Sequence, residues 1–85
     1  MDQPTTVRAY ILALADSARN GDKVALTKLE GRVRPLIGEL HGNVAGVARR
    51  LGVSTAALWR WLEPNGCLAR LGREAREAGI IVRYG

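Results

Sequence analysis

Residues 43–63 constrain the fold more tightly than any other stretch. Val44, Val47, Ala48 and Leu51 recur at i, i+3, i+4 and i+7, an apolar stripe two helical turns long. Gly52 follows where the chain must turn, and without a Cβ it can take a left-handed conformation at little steric cost. Ser54 then stands as the N-cap of a second helix, which buries Leu58, Trp61 and Leu62. Two helices of about eight residues joined by a three- or four-residue turn containing glycine form a helix-turn-helix. Ala48 is small enough for the second helix to cross closely, and Val53 plugs the gap between the two. A plain helical hairpin within a bundle is the alternative reading.

The flanks add helices on both sides, so the pattern predicts an all-α fold with three regions: 1–41, 42–63 and 64–85. Pro4 sits near the start of a first helix in which Val7, Tyr10, Ile11, Leu14, Ala15 and Ala18 recur at helical spacing. Ala9, Leu12 and Ala13 make that helix apolar nearly all round, so it needs cover on more than one side. A second subunit would supply it, which predicts a homodimer interface drawn from Val7, Tyr10, Ile11, Leu14, Leu29 and Val33. Asn20-Gly21 ends the first helix and Asp22 caps the next, which runs to Leu40. Pro35 predicts a kink or break near Arg34, since proline removes a backbone donor and crowds the preceding turn. Gly42 ends this helix and Asn43 caps the one that follows. Pro64-Asn65-Gly66 is a stop, beyond which Leu68, Leu71, Ala75 and Ala78 mark a short last helix closed by Gly79. The tail Ile80-Ile81-Val82-Arg83-Tyr84 is β-prone.

Charge gives the first functional signal. Thirteen Lys and Arg against eight Asp and Glu leave the 85-residue chain at +5. The excess is uneven: residues 1–42 carry six bases and five acids, residues 43–85 seven bases and three acids. A basic half in a small protein points to a polyanion, most often nucleic acid. Other classes fare poorly. The longest apolar run, Ala9 to Ala15, is far short of the roughly 20 residues that span a bilayer. No leader peptide is read at the N-terminus, and the lone Cys67 fits a reducing cytoplasm. One His and one Cys supply neither a zinc site nor nucleophile–base chemistry, and no glycine-rich phosphate loop is present, so neither an enzyme nor a metal or cofactor is expected.

Gly42-Asn43, Ala48, Leu51-Gly52-Val53-Ser54, Leu58, Arg60 and Leu62 resemble the Fis-type helix-turn-helix. That module occurs in bacterial nucleoid proteins and in the C-terminal domains of nitrogen-regulation-type activators. The match covers about a quarter of the chain. A weaker likeness at Arg34-Pro35-Leu36-Ile37 extends it back to Leu26. The chain departs from the family pattern at Thr55, Ala57 and Trp61, where the family usually has Arg, Thr and Lys. It also departs in the spacing from Pro35 to Gly42, about one helical turn shorter. A looser likeness joins Val47–Ser54 and Leu58–Leu62 to the motif of resolvases and transposases. The Fis-type resemblance implies duplex-DNA binding by a homodimeric transcriptional regulator or architectural factor, bacterial or phage, in the cytoplasm and associated with the nucleoid.

In such a motif the second helix faces base edges in the major groove. The candidate DNA-binding residues are Asn43, Arg49, Arg50, Ser54, Thr55, Ala56, Trp59 and Arg60. Arg60, the one cation on that helix, is placed for a guanine or a phosphate. Trp59 either lies beside a sugar-phosphate strand or covers the last helix, and Trp61 belongs to the core. Arg49 and Arg50 suit phosphates, and Asn43 caps a helix end that also offers N–H groups to one. Arg70, Arg73 and Arg76 read as a solvated face. The rival function is a helical adaptor or inhibitor that binds a protein and no DNA; exposed Trp59 and the apolar tail speak for it.

Overall fold

The computed structural model describes residues 3–80, with side chains from residue 7 onward. Five helices make up the order: α1 (Gln3–Arg19), α2 (Lys23–Glu39), α3 (Val44–Leu51), α4 (Thr55–Leu62) and α5 (Ala69–Glu77). The expectation of an all-α chain holds, with no strand among the described residues. The β-prone stretch 81–84 lies outside them.

A three-residue joint, Asn20-Gly21-Asp22, folds α2 back along α1. The Asp22 carboxylate accepts the N–H groups of Val24 and Ala25 and so starts α2. One apolar cluster draws on every helix, with Ile11, Leu29, Val33, Val47, Leu58, Leu62 and Leu68 fully enclosed. No charged or polar side chain is buried among the described residues. The three regions read from the sequence therefore share one core.

Several expectations need correcting. The helix α2 runs through Pro35 without a break. Pro35 and Gly31 both lie on the solvent side, where water can serve the Gly31 carbonyl that proline leaves without a donor. Leu29, Val33 and Ile37 keep the inner stripe in register on either side of it. At the end of α2 the left-handed residue is His41 (φ 53°) as well as Gly42 (φ 77°). The His41 N–H donates to Gly38 and the Gly42 N–H to Ile37, at 3.2 and 2.8 Å. Those two bonds are a Schellman motif with His41 at the position usually held by glycine. Ala78, expected on the buried side of the last helix, is exposed.

The expected dimer residues are mostly consumed inside one chain. Ile11, Leu14, Leu29 and Val33 belong to the core and cannot face a second subunit as well. Val7 is half-buried against the same cluster. Tyr10 alone of the six is exposed, with the Arg32 guanidinium 5.1 Å over its ring. The stripe is apolar as expected, and the chain's own helices supply its cover.

Candidate nucleic-acid interface

Local chemistry fixes how α3 meets α4. Asn43 has extended backbone and its side-chain oxygen accepts the Gly46 N–H at 3.2 Å, capping α3. Gly52 is left-handed (φ 77°), its N–H donating to Arg49 and that of Val53 to Ala48 at 3.0 Å. Those bonds satisfy two carbonyls at the end of α3 and swing the chain sharply. Val53 is then buried beneath the turn, and the Ser54 hydroxyl accepts the Ala57 N–H at 3.1 Å to start α4. Three residues, Gly52-Val53-Ser54, thus join two eight-residue helices.

The outward side of this unit holds most of the candidate residues. Ser54, Thr55, Ala56 and Arg60 are exposed on α4, and Asn43, Arg49 and Arg50 on or beside α3. Their charges differ in commitment. The Arg50 guanidinium lies 3.5 Å from the Glu39 carboxylate, an exposed pair that an incoming anion could replace at little cost. Arg49 and Arg60 make no ion pair or side-chain hydrogen bond among the described residues. Trp59 is half-buried and packs against the core, so it is not the fully outward ring that its place on α4 implied. Trp61, expected in the core, is also only half-buried; it borders a cleft beside α1.

Arg76 departs from the solvated role read for it. Its guanidinium donates to the Leu62 carbonyl at 2.8 Å and lies 3.8 Å from Glu63, with both side chains 29% exposed. It thereby serves the C-terminal end of α4, where Glu63 turns extended and no further helical N–H arrives. The Pro64-Asn65-Gly66 stop was the available signal, because a helix cut short there needs an outside donor. Arg34 meets Glu74 at 3.1 Å and ties α2 to α5, while Arg70 meets the same carboxylate at 3.3 Å from within α5. Arg73 is exposed, as expected.

Gly66, which the sequence marks only as part of a stop, and Gly72, which it does not single out, seat the segment after α4 and α5 against the end of α4. A Cβ on Gly66 would come within 2.2 Å of the Arg60 and Trp61 carbonyl oxygens, and one on Gly72 within 2.2 Å of that of Leu62. Only hydrogen fits at either position. Burial pushes the Cys67 thiol above its ordinary range, which keeps it protonated and poorly nucleophilic. His41 is exposed, and no cluster of three His, Cys, Asp or Glu is found among the described residues. No described helix is long and apolar enough to cross a membrane.

No family model matches the chain, and no curated protein or solved structure matches it either.

Proposed function

We propose that this chain binds duplex DNA as a helix-turn-helix, with α4 entering the major groove and α3 lying against the backbone. One observation carries the reading. Arg49 and Arg60 are exposed cations without countercharges among the described residues, and they flank a first turn of α4 made of small side chains. Ser54, Thr55 and Ala56 let a helix N-terminus approach base edges closely, with methyl groups available to thymine. Arg49, with Arg50 released from Glu39, supplies phosphate contacts, and the capped start of α3 at Asn43 faces a third. The resemblance to Fis-type modules supports the same assignment, as does the net charge of +5.

A regulator of this kind works as a homodimer, with two α4 helices in successive major grooves about 34 Å apart. Among the described residues, the large apolar side chains left exposed on α1 and α2 are Tyr10, Leu12 and Val24, which are what a second copy has to cover. Those same side chains favour the rival reading, a protein-binding adaptor.

Fluorescence anisotropy on labelled duplexes tests the assignment. Arg49→Ala should weaken specific and random duplexes alike. Arg60→Ala should instead narrow the gap between them, by about 1–3 kcal/mol if the guanidinium reads a guanine. DNA affinity untouched by both changes would refute the proposed surface. A chain that binds no duplex at low salt would turn the argument to the adaptor.

A further inference from the structure

A cleft of about 340 Å³ opens between the second half of α1 and the turn that follows α4. Its volume falls within the range of small-molecule sites. Leu12, Ala15 and Trp61 give it an apolar lining, with the half-buried Trp61 indole offering an aromatic surface for stacking.

Two acids and two bases line the cleft, Asp16 and Glu63 against Arg19 and Arg60, but they are not paired with one another throughout. Arg19 is held by Asp16 at 2.9 Å, and Glu63 lies 3.8 Å from Arg76, so each lining acid already has a base beside it. Arg60 also lines the cleft, and it has no countercharge among the described residues. A guanidinium in that position offers parallel N–H donors to a planar anion. We infer that the cleft is a binding site for a small aromatic monoanion, a carboxylate or sulfonate, whose ring lies against Trp61 and Leu12 and whose charge meets Arg60. The site shares Arg60 with the DNA proposal but does not rest on it.

The test uses 1-anilinonaphthalene-8-sulfonate as probe, followed by its own fluorescence and by energy transfer from tryptophan. N-phenyl-1-naphthylamine serves as its neutral counterpart. Saturable binding of one equivalent is expected, about tenfold tighter for the sulfonate than for the neutral dye. Arg60→Gln should weaken the sulfonate about tenfold and leave the neutral dye unchanged. Leu12→Glu, at an exposed position, should weaken the sulfonate by at least as much. Val24→Ser alters a second groove, lined by Tyr10, Leu14 and Val24, and should change nothing. No saturable binding, indifference to Arg60→Gln, or loss on Val24→Ser would each overturn the inference. No DNA enters the assay, so such a failure leaves the DNA reading where it stood.

Discussion

Alanine at Gly72 should destabilise this protein, although the same change elsewhere in its helices should help. A Cβ at Gly72 would lie 2.2 Å from the Leu62 carbonyl oxygen and 3.0 Å from its carbon. Ordinary carbon–oxygen contact begins near about 3.3 Å, so α5 must withdraw by roughly 1 Å. The obstacle is backbone at the end of α4, which cannot swing aside as a flexible side chain would. Withdrawal strains the 2.8 Å bond from Arg76 to that carbonyl and loosens Leu71 and Ala75 in the core. Overpacking of this kind costs about 1–3 kcal/mol, offset by up to about 1 kcal/mol because alanine is the better helix former. A net loss of about 1–2 kcal/mol lowers the Tm by roughly 4–16 °C in a domain of this size. Gly38 is the control: it is helical and exposed, and a Cβ there meets nothing within 4 Å. Gly38→Ala should gain about 0.5–1 kcal/mol from helix propensity alone. Thermal and urea unfolding followed by circular dichroism would read both changes. A Gly72→Ala protein as stable as the parent would refute the seating of α5 against α4.

Ser54→Ala removes the acceptor that caps α4 and should cost about 1 kcal/mol, whereas Ser54→Asp should retain most of that stability in the same unfolding assay. His41→Gly should raise the Tm by a few degrees, because it relieves a left-handed conformation that costs a non-glycine residue about 1 kcal/mol. His41→Val should lower it, and a rise would contradict the assigned end of α2. Arg76→Met keeps an apolar stem but withdraws the donor from the Leu62 carbonyl; a loss of about 1–2 kcal/mol is expected in urea titrations.

The α3–turn–α4 unit was legible because everything that specifies it is local. The stripe of Val44, Val47, Ala48 and Leu51, the left-handed Gly52 and the caps at Asn43 and Ser54 all act within a few residues of one another. What escaped the sequence acts over longer range. Arg76 reaches a carbonyl fourteen residues back, and Gly72 matters only once α5 crosses the end of α4. Helical spacing could not say what covers an apolar stripe, so Ile11, Leu14, Leu29 and Val33 read as an interface although the chain's own helices enclose them. Pro35 misled for a different reason: its cost depends on whether solvent can reach the Gly31 carbonyl, and spacing is silent on that. For the candidate interface, the exposure of Arg49, Arg50, Thr55 and Arg60 followed from helical phase alone. The partial burial of Trp59 and Trp61 did not, because it depends on how neighbouring helices pack.

Salt dependence of binding to a random-sequence duplex tests the central claim most directly. Three phosphate contacts per chain, from Arg49, Arg50 and the start of α3 at Asn43, predict a slope of log K against log[salt] of about −3 for one bound chain and about −5 for a dimer. Replacing Arg49 by alanine should flatten that slope by about one unit per chain bound. A slope near zero, or no binding at about 50 mM salt, would contradict the claim that this surface meets DNA.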